Sequence, residues 1–186
     1  RVRAKSGGMT ARDGFLIVGL SWIAMSLFGA LLFVLTGDIP NYVDALFETI
    51  SGLTTTGASV VTAPEEMTRG GMFWRLFTHW IGGMGILVFV LAVLPMSGNR
   101  SMHIMRAEVP GPTVGKLVPR IRKTASILYL LYIALTLVEM VLLIAGGMSF
   151  YDALLHAFAT AGTGGLSTRA LSIGYYNSAY IDIVVG

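Results

Sequence analysis

A chain of 186 residues with 54% hydrophobic and 12% charged residues and a mean hydropathy of +0.73 carries too little charge for an ordinary soluble domain, where about 25% of residues are charged. The absence of cysteine excludes a disulfide framework and a thiolate metal site. The net charge of +3 is placed in loops between apolar runs rather than on one amphipathic face, which argues against a nucleic-acid-binding surface.

Residues 1–13 are a basic flank, with Arg1, Arg3, Lys5 and Arg12 against Asp13 alone. Residues 14–37 then run for 24 positions without a charge. As a helix they would be about 36 Å long, enough to cross a hydrocarbon core of about 30 Å. Asp38, Pro40 and Asn41 end that span. Asn41-x-x-Asp44 has the spacing of a capping box and predicts a helix over residues 42–53. That helix would be roughly 18 Å long, half a bilayer. Thr54-Thr55-Thr56-Gly57-Ala58 follows, β-branched and then glycine, which suits an extended return. Residues 41–59 are therefore expected to form a pore loop: a half-crossing helix and a strand that comes back.

Residues 60–75 are a polar loop, and residues 76–99 a second uncharged span that holds His79, Gly82, Gly83 and Gly85. The glycines are expected to let other backbone approach closely. Residues 100–123 are a basic loop with Arg100, Arg106, Lys116, Arg120, Arg122 and Lys123. A third span, 124–148, is interrupted only by Glu139. Ser149-x-x-Asp152 opens a second pore loop over 149–167, with a further span starting near Asp182. The chain opens on Arg-Val-Arg and reaches Gly186 inside that last apolar run, so it is expected to be an internal portion of a longer protein. Ten of the thirteen Lys and Arg residues lie in 1–13 and 100–123. The positive-inside rule places those segments in the cytoplasm, and both loops then enter from the outside. Tyrosines and tryptophans near span ends read as interfacial anchors.

A shift of 108 residues lays Asp44-Ala45-Leu46 on Asp152-Ala153-Leu154, Thr55 on Thr163, Gly57 on Gly165 and Ser59 on Ser167. These are six identities in sixteen positions, against about one expected by chance. The repeating unit is span, loop, span. With two spans in each, the copies are parallel and related by an axis along the membrane normal. The expected fold is an all-α polytopic membrane protein of repeated, potassium-channel-like units: 14–99 the first, 124–186 the second.

Such units suit a cation. Rings of backbone carbonyls can replace an ion's hydration, and glycine permits the backbone turns that point them inward. A half-helix whose C-terminus faces the ion adds partial negative charge. The candidate ligands are the backbone carbonyls of Thr54, Thr55, Thr56, Gly57 and Ala58, and of Gly162, Thr163, Gly164, Gly165 and Leu166. Neither Thr54–Ser59 nor Gly162–Ser167 carries a carboxylate, which favours a monovalent ion.

Asp44-Ala45-Leu46-Phe47-Glu48 leading into Thr54–Ser59, His79-Trp80-Ile81-Gly82-Gly83-Met84-Gly85, and Thr160–Ser167 together resemble the Trk/Ktr/HKT superfamily of potassium transporters over nearly the whole chain. The Arg12-Asp13-Gly14-Phe15 entry looks most like its bacterial TrkH branch. The resemblance implies four repeats around one pore, each with a filter glycine, and potassium uptake across the cell inner membrane. It also implies a homodimer and a cytosolic nucleotide-binding regulatory partner like TrkA, with gating devices in the third and fourth repeats. Some plant relatives with Ser at the first filter glycine favour Na⁺; Gly57 therefore points to K⁺.

Three other readings stand beside this one. A Na⁺-conducting or Na⁺/K⁺ symporting relative would share the architecture. A non-conducting membrane subunit would share the spans. An intramembrane enzyme would need ligands or a nucleophile–base pair at depth, and His79, His103 and His156 have no metal-ligand spacing. Gly162–Leu166 is not a phosphate loop, because no Lys-Ser/Thr follows it. His79 reads as a structural residue, and for Glu139 structural and functional roles stay open.

Overall fold

The computed structural model describes residues 11–85 and 117–186. The flank 1–10, the second half of the expected span 76–99 and the basic loop up to residue 116 lie outside the described residues. Within them every regular element is helical. In chain order these are α1 (Ala11–Thr36), α2 (Tyr42–Leu53), α3 (69–85), α4 (Leu117–Ala145), α5 (Phe150–Ala161) and α6 (Ala179–Val185). Short 3₁₀ turns lie at Pro64–Glu66 and Ser172–Tyr176.

Two of these helices are long and apolar enough to cross a membrane, over Leu16–Thr36 and Lys123–Ala145. Their side chains explain why they need one. Phe28 is 72% exposed, Leu35 81% and Leu130 70%, with Leu20, Ile23, Leu131, Leu135 and Val141 also open. In water such a continuous apolar surface would be an association hazard; against lipid it is the favourable state.

The short helices start as their caps dictate. Asn41 Oδ1 accepts the Val43 N–H at 3.0 Å. The bond goes to the second helical residue, so α2 has a simple side-chain cap rather than the reciprocal Asp44 box expected from the spacing. At α5 the pair is mutual: Ser149 Oγ accepts the Asp152 N–H at 3.1 Å and donates to Asp152 Oδ2 at 2.9 Å.

Three apolar clusters hold the elements together. Ala30 and Phe33 of α1 pack on Ile39 and on Ala45 of α2. Leu143 and Met148 pack on Ala153 of α5 and Ile181 of α6. Ala45 and Ala153, related by the 108-residue shift, are both fully buried. The third cluster crosses between units: Met72 and Leu76 of α3 meet Leu155 and Ala159 of α5, and Leu166 beyond it. Phe73, Phe77 and Trp80 extend that seam through ring contacts with Phe158.

Four aromatic side chains hydrogen-bond from one helix to another. Trp74 Nε1 donates to Gly29 O, Tyr42 OH to Leu27 O, Tyr132 OH to Trp80 O and Tyr180 OH to Leu142 O. Each ties one helix to the backbone of another, because a ring buried on its apolar body still needs a partner for its polar tip.

Candidate functional site

The two candidate loops begin with the same turn. At the end of α2, Thr55 N–H reaches Gly52 O at 3.0 Å and Thr56 N–H reaches Ser51 O at 2.9 Å. At the end of α5, Thr163 N–H reaches Thr160 O at 2.8 Å and Gly164 N–H reaches Ala159 O at 2.9 Å. Each is a Schellman cap, which satisfies otherwise orphaned helix carbonyls. The cap needs a left-handed residue, and it takes threonine: Thr55 has φ 56° and Thr163 φ 54°. Two residues later Gly57 has φ 74° and Gly165 φ 73°. Thr54 is αR and Thr55 left-handed, so the first two residues of the expected extended return are not extended; capping claims them.

A β-branched residue at positive φ is strained by about 1–3 kcal/mol. Replacing Thr55 or Thr163 by Gly should therefore raise the thermal stability of the full-length protein by about 1 kcal/mol each, after the entropy cost of the added glycine. A fall in melting temperature for both variants would contradict this.

The structure brings the two loops into contact. A Cβ on Gly57 would overlap the carbonyl oxygen of Gly164. Thr54, Thr56 and Ala58 are exposed, while Gly162, Gly164 and Leu166 are buried. Helix α3 makes the difference. It backs the first unit where Thr78 fills the space beside Gly52 and Gly82 lies against the Leu53 carbonyl. It backs the second where His79 presses on Gly162 and Gly164, and where Gly83 approaches Gly162. Gly82 and Gly83 are where the α3 backbone itself comes close to the loops, as small residues allow.

A buried ion pair joins the two loops. Arg75 Nε donates to Glu48 Oε1 at 2.6 Å. The same guanidinium donates to Ser59 Oγ at 2.8 Å and to Ser167 O at 3.1 Å. Glu48 also accepts from Ser59 Oγ and from Val60 N at 3.0 Å. Arg75 is 3% exposed and Glu48 1%. With each Arg75 nitrogen and each Glu48 oxygen bonded, much of the desolvation of the two charges is offset. Reading the sequence alone placed Arg75 among the outer-loop charges and missed this role. The available signal was Glu48 itself, a carboxylate in a short apolar helix that needs a partner.

At the equivalent of Glu48 the second unit has His156. Its Nδ1 lies 2.8 Å from the Asp152 carbonyl, which can only accept, so Nδ1 carries the proton. Nε2 then accepts from Ser167 Oγ at 2.9 Å. One unit thus fastens its loop with a charge pair and the other with a neutral imidazole.

On the outer rim Glu65 Oε1 accepts the Ala170 N–H at 2.6 Å, linking the two surface loops. This bond holds the Glu65 carboxyl below its ordinary value of 4.5. A lowered folded-state value contributes stability above pH 4.5 that is lost as pH falls through the folded value. The stability gap between the native protein and Glu65→Gln should hence be constant near neutrality and close on acidification below pH 4.5. A gap that widens on acidification would be the wrong sign.

A family model described as TrkH, cation transport protein, matches residues 2–186. The chain is 42% identical over 186 residues to the Trk system potassium uptake protein TrkH of Escherichia coli K12, covering 98% of this chain and 38% of that protein. It is 44% identical over 178 residues to the protein of the same name from Halomonas elongata, covering 95% of this chain and 37% of that one. It superposes on the crystal structure of the potassium transporter TrkH from Vibrio parahaemolyticus with a TM-score of 0.78 at 37% identity, covering 98% of this chain and 36% of the other. The chain thus spans a little over a third of the length of these relatives.

Proposed function

Because this chain belongs to the TrkH family of cation transport proteins, a family of transporters and not of enzymes, we propose that its two helix-and-loop units form part of the wall of a potassium pathway. The ligands are the backbone carbonyls of Thr54–Ala58 and Gly162–Leu166. The observation that carries this reading is the shared backbone signature of the loops: left-handed Thr55 and Thr163, then positive-φ Gly57 and Gly165, at the C-terminal ends of two half-length helices. Curated relatives named potassium uptake proteins support the choice of ion.

The physical account is short. The capped ends of α2 and α5 carry partial negative charge, and the loops beyond them offer neutral oxygens rather than carboxylates. A monovalent ion that sheds its water there meets replacement dipoles without being bound too tightly to leave. On this reading 14–99 is one unit of the pathway and 124–186 belongs to a second. Residues 1–13 and 100–123 face the cytoplasm, and both loops open outward in a multi-pass inner-membrane protein. The ion enters past Asp38, Asp44, Glu65 and Glu66, whose charge raises its local concentration.

The test is flux into liposomes that contain the full-length protein. K⁺ and Rb⁺ should enter and Na⁺ should lag. Equal Na⁺ entry would favour the sodium-conducting alternative, and no cation entry would sink the transport reading altogether.

A further inference from the structure

His79 on α3 is 0% exposed, and neither ring nitrogen makes a well-formed hydrogen bond among the described residues, the Ser51 backbone being the polar group beside the ring. Burying an unpaired polar ring is costly, so its position is explained by what its shape does rather than by what it bonds. Its contacts are specific. A Cβ on Gly164 would come within 2.5 Å of the His79 ring, and a Cβ on Gly162 within 2.5 Å of the His79 carbonyl oxygen.

Neither glycine is there for its backbone angles. Gly162 has φ −76°, open to any residue, and Gly164 is not among the positive-φ glycines. Gly164 is a glycine because the His79 ring occupies the space of a side chain, and Gly162 because the α3 backbone at His79 does. At the equivalent positions of the first loop stand Thr54 and Thr56, exposed and hydrogen-bonded to each other at 2.8 Å. Among the described residues, only the second loop is therefore held from behind by a ring.

We propose that His79 is a specificity-determining positioning residue: its imidazole is a wedge that fixes the Gly162–Leu166 backbone and so sets the preference for K⁺ over Na⁺ at that loop. This rests on the potassium-pathway reading above. A pathway lined with carbonyls discriminates between ions only while their spacing and number are maintained, and a loop of three glycines in five residues has little stiffness of its own. The wedge supplies it.

The experiment is a double-mutant cycle in the full-length protein, read as the ratio of K⁺ to Na⁺ flux in liposomes. His79→Ala removes the wedge and should lower the ratio about tenfold, and Gly164→Ala, whose methyl group meets the ring, should lower it comparably. In the double variant the methyl enters the vacated space, so the ratio should return to within about threefold of the native value. A general structural role for His79 predicts additive losses with no recovery, and additivity overturns the proposal. So does a native ratio in Gly164→Ala alone, which keeps the test open if His79→Ala does not fold. His79→Leu then replaces it in the cycle. An unmutated protein that passes neither ion would overturn the pathway reading and this proposal with it. Native flux with an unaltered ratio in every variant overturns this proposal alone.

Discussion

Gly57→Ala should cost the full-length protein most of its K⁺ over Na⁺ selection and of its potassium flux, while Gly165→Ala should leave a stable protein with milder impairment. The two glycines share a backbone conformation, φ 74° and φ 73°. In both, an added Cβ carries a strain of about 1–2 kcal/mol. Their surroundings differ. Nothing lies within 4 Å of a Cβ on Gly165, whereas a Cβ on Gly57 runs into the Gly164 carbonyl oxygen. A backbone carbonyl has no rotamer by which to escape, so overpacking adds about 1–3 kcal/mol and displaces the neighbouring loop. Gly57→Ser adds the same Cβ and should first show as a loss of K⁺ over Na⁺ selection. The measurement is K⁺, Rb⁺ and Na⁺ flux for both alanine variants at matched protein content. Equal behaviour of the two would refute the loop contact.

The second large effect concerns the buried pair. Glu48→Gln leaves the Arg75 guanidinium charged and uncompensated in a 3%-exposed site, and should cost about 3–5 kcal/mol of stability. Arg75→Met should cost as much, since it strands Glu48 and also removes the donor to Ser167 O. The double replacement, Glu48→Gln with Arg75→Met, should lose much less than the sum, because it buries no lone charge. Thermal unfolding of the four proteins in one detergent decides the matter. Additive losses would mean that the two residues act separately. Transport should suffer in the double variant even if stability recovers, because Ser59 and Ser167 lose their common tie.

Local features were legible in the sequence, and contacts between units were not. Asn41 and Ser149 announce helix starts because a capping side chain acts within three residues. The identities at a shift of 108 announce a repeat because equivalent positions face equivalent constraints: the φ angles are 56° at Thr55 and 54° at Thr163, 74° at Gly57 and 73° at Gly165. The left-handed threonines were hidden, since a β-branched residue argues against that conformation. Capping bonds at both helix ends overrule the preference. Arg75 was hidden because its partners, Glu48 and Ser167, stand 27 and 92 residues away. His79 was visible as a buried-span histidine, but which loop it would touch depended on how α3 lies between α2 and α5, and no periodicity encodes that.

The seam formed by Met72, Leu76, Leu155 and Leu166, with its row of aromatic rings, carries a consequence for how such a protein changes over time. Helix α3, which the 108-residue repeat would assign to the first copy, packs against α5 of the second, so the two stretches interlock and the join between them is no place to cut. Severing the chain between residues 86 and 123 and separating the pieces would bare two fully buried leucines and the aromatic row on either side. Modules of this kind are not interchangeable beads. Deleting or adding one leaves a raw face at each junction, and divergence is channelled instead into the few contacts, such as Glu48 against His156, where one copy can differ from its sibling without reopening the join.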